Sequence, residues 1–178
     1  MFADPVKNLK AFDLRENMLV ADLGTGSGFY AISAAKMVPN GKVYAIEIDR
    51  DYLTLVQNKA KDEKISNLEC FWGDIEKIEG THIKSGTIDR AIVSNVFSQL
   101  TDRITFLKEL TRILKPEAEV LFIDWSPGLA IATGNLDITV PKDKVLALFE
   151  KSGFAWYRDI DAGSNHYGMI FKTIKKNE

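Results

Sequence analysis

Asp22 stands two residues before Gly24, and Gly26 and Gly28 follow at alternating positions with Thr25 and Ser27 between them. The chain before the glycines is apolar (Val20, Ala21, Leu23), and after them it continues into Phe29 and Tyr30. The pattern is a strand, a glycine-rich turn and the start of a helix. Such a turn lets a ligand approach the backbone where a side chain would block it, and the first N–H groups of the helix face that ligand. A dinucleotide fingerprint has its third glycine at the sixth position of the motif; here that position is Phe29. The Asp22 carboxylate would repel a pyrophosphate and suit a cationic amino-acid group. The combination points to S-adenosylmethionine, which carries an ammonium and a sulfonium and no phosphate. Taken alone, the turn leaves a plain tight turn open as the alternative.

Four further polar groups fall where strands should end. Glu47 lies 23 positions after Gly24, and beside Ile48 it can accept hydrogen bonds from both hydroxyls of a ribose. A nicotinamide dinucleotide would use the same group, and a helix cap is the bland alternative, which Asp49 can fill instead. Gly73-Asp74-Ile75 offers a carboxylate to an adenine amino group and an apolar side chain to its ring. Asn95 follows the next strand and would face either the methionine part of the ligand or a substrate, with a turn-forming Asn as its alternative. Asp124 ends the fifth strand on the expected acceptor side, with a solvated strand end as its alternative. His166 in the terminal hairpin and Tyr30, one turn into the first helix after the glycines, are the remaining candidates for substrate or base roles. No metal site is expected: Cys70 is the only cysteine, and it reads as a small buried apolar strand residue rather than a nucleophile. His82 is read as solvated.

The elements that must hold these groups alternate. A short helical segment occupies 1–16, with Asp4 as its cap and Pro5 in its first turn. Strands are expected over 18–23, 42–48, 68–72, 88–95 and 119–125; the first is apolar at consecutive positions, as a strand buried on both faces requires, and the fourth is near-continuously apolar. Helices are expected over 28–38, from Asp49 or Arg50 to about 63, and after Thr101 or Asp102 with Ile104, Leu107, Leu110 and Leu114 on one face. The stretch from 75 to 86 reads as polar and irregular, and 126–140 as a loop with Pro127, Gly128 and Gly134. A last helix opens at Pro141 and closes at Gly153, and strands over 154–160 and 167–174 form a hairpin. Lys172, Lys175 and Lys176 make a basic tail. This order gives an α/β fold with a doubly wound, mostly parallel sheet. It reads as a single domain over 1–178, with the cofactor core over 18–125 and the last helix and hairpin over 126–178.

Composition fits that class. Of the 178 residues, 46% are hydrophobic and 27% charged, and the formal net charge is −2. No global basic balance recruits nucleic acid, no apolar run approaches the ~18 residues of a membrane span, and the first residues do not read as a signal peptide. The expected compartment is the cytoplasm. Self-association as a homodimer stays open.

With these residues in view, the chain resembles the class I S-adenosylmethionine-dependent methyltransferases. Within them it is similar to the domain typified by ubiquinone and menaquinone biosynthesis methyltransferases. The resemblance rests on the run from Val20 to Gly28, on Val43 to Asp49, on Gly73-Asp74, on Leu114-Lys115-Pro116 and on Phe149 to Phe154. It implies a seven-stranded Rossmann-like sheet with an antiparallel last strand. It also implies that Asp22, Gly24 and Gly26 line the methionine end, Glu47 the ribose and Asp74 the adenine. There are departures. The family's usual Lys-Pro-Gly-Gly is Lys115-Pro116-Glu117-Ala118 here, and a histidine that members often carry after the fourth strand reads as Ser98-Gln99. The lid regions are short, so the acceptor site is expected to be open or completed by a partner chain. The chain lacks an Asn/Asp-Pro-Pro-Tyr motif, which disfavours amide or adenine nitrogen as acceptor. It lacks a Pro-Cys nucleophile, which disfavours covalent cytosine methylation. A single cysteine disfavours an arsenite-type site. The acceptor stays unidentified. The alternative reading is a cofactor-binding regulatory or scaffold protein without catalysis.

Overall fold

The computed structural model describes residues 4–126 and 139–174. Strand β1 (Leu19–Leu23) lies at the centre, with four of its five residues buried. It pairs in parallel with β2 (Lys42–Glu47) on one side and β4 (Ile88–Ser94) on the other. β3 (Leu68–Trp72) pairs in parallel outside β2, and β5 (Leu114–Trp125) outside β4. β7 (His166–Thr173) then adds antiparallel to β5, and β6 (Phe154–Ile160) pairs antiparallel to β7 at the edge. The order β3-β2-β1-β4-β5-β7-β6 is the seven-stranded, mostly parallel sheet expected from the alternation and the resemblance.

Five described helices cover it: α1 (Pro5–Ala11), α2 (Phe29–Met37), α3 (Arg50–Asp62), α4 (Arg103–Ile113) and α5 (Lys142–Lys151). Alternate residues of β1 feed two cores. Ala21 and Leu23 join Phe97, Phe106, Phe122, Phe149 and Phe171. Val20 joins Leu9, Phe12, Tyr30, Val56 and Ile92 on the opposite face. A strand covered on both sides has no solvated face, which is why its sequence is apolar without alternation. The strand order reverses between β2 and β4 around β1, and ligands of open α/β sheets bind beyond the strand ends at that reversal.

Most expected elements appear within a residue or two of their predicted ends, and two readings need correction. β5 begins at Leu114 instead of 119, because Gly86 and Thr87 donate to the carbonyls of Arg112 and Ile113 and bring the chain into pairing as soon as α4 ends. Ile104 is half exposed; the buried face of α4 is Phe106, Leu107, Leu110 and Ile113. The segment 75–86 is irregular, as expected, and is firmly held. The Glu109 carboxylate, 1% exposed, accepts from the Glu79 N–H at 2.8 Å, from the Thr81 hydroxyl at 2.5 Å and from Arg112 Nε at 2.7 Å. His82 is exposed, as expected. The loop residues Pro127, Gly128 and Gly134 and the tail residues Lys175 and Lys176 lie outside the described residues.

Candidate functional site

The glycine turn is built by backbone bonds and one carboxylate. The N–H groups of Gly24 and Thr25 both donate to the carbonyl of Ile46, at 2.9 and 3.0 Å, which ties the turn to the end of β2. Gly24 has φ +72, and a Cβ there would lie 2.5 Å from a Val96 methyl. Gly24→Ala is therefore expected to cost about 2 kcal/mol, from left-handed strain and overpacking together. Urea unfolding checks it, the lower midpoint multiplied by the unfolding slope giving that loss. At Gly26, with φ +51, a Cβ would meet nothing within 4 Å. The backbone there faces open space.

Glu47 closes the turn from the other side. Its Oε2 accepts from the Gly26 N–H at 2.9 Å, and its Oε1 from Ile48 and Asp49 at 2.9 and 3.1 Å. A carboxylate has about four acceptor positions, so three backbone donors fix its orientation and leave capacity for a ligand donor. The helix-capping role falls to Asp49, which accepts from the Asp51 N–H at 2.8 Å.

Asp22 lies beneath the turn. It is 2% exposed, and Thr25 donates its hydroxyl to Asp22 Oδ2 at 2.6 Å. Burial pushes its pKa up from 3.8 to about 6, against the pull of Thr25 and the Ala31 N–H, and the charge of Glu47 adds to the rise. No cation of the described residues offsets that burial.

These groups open into one cavity of about 910 Å³ along the carboxyl ends of the parallel strands. Asp22, Gly24, Thr25, Gly26, Ser27, Glu47, Ile48, Asp74, Ile75 and Asn95 all line it. Asp74 is held by the Glu76 N–H at 3.0 Å and by Lys77 at 3.1 Å. Asn95 has φ +55, its N–H bonds the Ile123 carbonyl, and its buried Oδ1 has no partner among the described residues. The lining includes four carboxylates, Asp22, Glu47, Asp74 and Glu76, and no Lys or Arg among the described residues. A cationic, phosphate-free cofactor fits such a donor set, and a pyrophosphate does not.

Residues 14–169 match the family model described as a methyltransferase domain. The chain belongs to that family. The methyltransferase domain is 24% identical over 129 residues to demethylmenaquinone methyltransferase of Geobacillus sp., which is 72% of this chain and 54% of that protein. It is 28% identical over 127 residues to the enzyme of the same name from Lactococcus lactis, 70% of this chain and 49% of that one. It thus spans about half the length of these curated relatives. A crystal structure of a SAM-dependent methyltransferase from Aquifex aeolicus is similar throughout, with 29% identity, a TM-score of 0.85, and coverage of 97% of this chain and 91% of that one. The family resemblance read from the sequence is borne out.

The acceptor-side candidates divide. Asp124 does not line the methyltransferase domain's cavity. It is fully buried, accepting from the Ser98 N–H and hydroxyl at 3.0 and 3.1 Å and from the Trp125 N–H at 2.8 Å. Its carboxylate fixes the 3₁₀ turn Phe97–Gln99, and burial pushes its pKa up. Ser98 is committed to that contact. Gln99 donates to the Asn95 carbonyl at 2.6 Å and lines the cavity. Tyr30 and His166 both line it. Tyr30 Oη accepts from Asn8 Nδ2 at 2.8 Å, and burial raises its pKa. Sequence reasoning missed Pro5, Tyr52, Leu100 and Trp125, which also line the cavity. Pro5 brings α1 into the wall, so the short N-terminal segment closes one side instead of leaving it open. The buried Asn8 in a helix otherwise apolar on that face was the available signal.

Proposed function

We propose that this methyltransferase domain binds S-adenosylmethionine along the carboxyl ends of β3, β2, β1 and β4 and transfers its methyl group to a small acceptor entering from the β5 and β7 side. The observation that carries this reading is the buried Asp22 carboxylate without a cationic partner, beside open backbone at Gly26, in a cleft with no Lys or Arg among the described residues. Asp22, Gly24, Thr25, Gly26 and Ser27 would hold the methionine end, Glu47 and Ile48 the ribose, Asp74 and Ile75 the adenine, and Asn95 the cofactor's reactive end. The cofactor supplies a methyl group already activated by a positively charged sulfur, so the protein's task is positioning and exclusion of water. Calorimetry with S-adenosylmethionine tests the reading. One site per chain is the expected result, and absence of binding at millimolar ligand overturns it.

Glu47→Gln is expected to weaken that binding by about 10- to 100-fold, the range given by losing one hydrogen bond to a charged group. The amide NH₂ would also face one of the three backbone N–H groups that the carboxylate now accepts from. The same calorimetric titration measures it.

A further inference from the structure

We infer that His166 and Trp125 form an acceptor subsite for a neutral, planar molecule with a weakly acidic O–H, a phenol or an enol, and that the His166 imidazole takes that proton. The inference rests on the methyltransferase reading of the same cavity.

Placement comes first. β7 runs against the other strands, so its first residue stands on the same sheet edge as the last residue of β5, and Trp125 and His166 are register partners. Adjacent strands lie about 4.8 Å apart. His166 is two strands beyond β4, so about 10 Å separates it from the strand that ends the proposed cofactor site, along one continuous cavity.

The ring itself is the second observation. His166 is 7% exposed and lines the cavity, yet neither Nδ1 nor Nε2 has a hydrogen-bond partner among the described residues. A buried polar group left unsatisfied costs about 1–3 kcal/mol, and such groups in native proteins call for an explanation. Both nitrogens are closed to solvent as the ring stands, so the imidazole turns towards the cavity for a ligand hydroxyl to supply one. No neighbouring acid holds the ring as a cation: Asp124, on the adjacent strand, is spent on Ser98 and Trp125. The Tyr167 hydroxyl donates to the Val140 carbonyl, and the Tyr30 hydroxyl accepts from Asn8. Burial lowers the His166 pKa, which keeps the imidazole neutral with one lone pair free to accept.

The walls select the acceptor's shape and charge. The Trp125 ring lies 4.2 Å from the imidazole, centroid to centroid, at 32°. Pro5, Tyr30, Val96 and Leu100 add apolar surface to the same cavity. The absence of Lys or Arg from the described lining, with four carboxylates in the same cavity, opposes a phosphorylated or carboxylated acceptor. In the proton step the acceptor's O–H bond breaks, its electron pair stays on oxygen, and the proton goes to the unprotonated ring nitrogen and later to solvent. No oxidant or reductant is needed.

The test uses the fact that the chain has two histidines, of which His82 is exposed. In the His82→Gln protein, saturated with S-adenosylhomocysteine, the ring signals of His166 are followed by NMR during titration with 4-methylphenol, toluene and benzylamine. The expected result is a saturable shift with 4-methylphenol, binding about tenfold tighter than toluene. His166→Phe, which keeps a flat ring against Trp125, is expected to abolish that preference and leave S-adenosylhomocysteine affinity unchanged. Equal binding of 4-methylphenol and toluene, a preference for benzylamine, or unmoved His166 signals would overturn the subsite while the methyltransferase reading stands. Failure of S-adenosylhomocysteine to bind overturns that reading instead.

Discussion

Asp22→Asn is expected to bind S-adenosylmethionine at least about 100-fold more weakly than the natural protein, and, without ligand, to melt several degrees higher. Both effects come from one carboxylate. With its pKa raised from 3.8 to about 6 by burial, the group resists ionisation in the folded state. It binds its proton more tightly folded than unfolded, so its contribution to stability is fully present below pH 3.8 and is lost as pH rises through about 6. Above that the cost is constant at about 3 kcal/mol, from roughly 1.36 kcal/mol per pKa unit. Asparagine keeps an oxygen for the Thr25 hydroxyl and removes the charge. For a domain of this size each kcal/mol regained moves the melting temperature by about 2–4 °C.

The ligand-free cost is what makes the carboxylate useful. A cationic group entering the cleft stabilises the ionised form that the empty site disfavours. Binding below pH 6 must therefore release a proton, and affinity should fall about tenfold per pH unit there, whereas the asparagine variant stays flat. Calorimetry across pH and thermal melts of both proteins read the two effects together. An asparagine variant with unchanged affinity would remove Asp22 from the cofactor site whatever its stability.

The legible part of the molecule was that in which local sequence carries the reason. Asp22 and the glycines come at the end of an apolar run that reads as a doubly covered strand, and Glu47 and Asp74 come at the ends of the next two strands in the alternation, so their place at the carboxyl edge of the sheet follows from the pattern. Asp124 follows an equally good strand, and the same logic put it in the cleft. What turned it away is Ser98, 26 residues earlier, whose N–H and hydroxyl take both its oxygens. Sequence spacing does not reveal a partner at that distance. The same holds for Asn8 and Tyr30, which make α1 part of the cavity wall through a bond across 22 residues. His166 was visible as a candidate only because histidines are scarce. Its register with Trp125, and hence its stacking, depends on β7 running antiparallel to β5.

Glu109 shows the same limit with a larger energetic consequence, and Glu109→Ala is expected to cost roughly 3–5 kcal/mol. In sequence it is one polar residue on an amphipathic helix. In the fold it lies on the buried side of α4, and besides Arg112 it gathers Glu79 and Thr81, 30 and 28 residues away. Burial alone would raise its pKa, but Arg112, the Thr81 hydroxyl and the two backbone N–H groups hold it down to about 2. A depressed carboxyl contributes stability that is fully present above its ordinary value of 4.5 and is lost as pH falls towards about 2. The natural protein should therefore lose stability across that window, and the alanine variant should lose less there. The consequence reaches the ligand site. Gly80, between Glu79 and Thr81, packs so closely on Gly73 that a Cβ on Gly73 would lie 2.3 Å from the Gly80 carbonyl oxygen. Gly73 opens the segment through Ile75 that forms the proposed adenine wall. Releasing Glu79 and Thr81 should therefore raise amide exchange at 79–83 first and loosen that wall next. The variant should lose cofactor affinity at temperatures where it is still folded. If exchange at 79–83 rises and affinity does not change, Asp74 and Ile75 have no part in holding the cofactor.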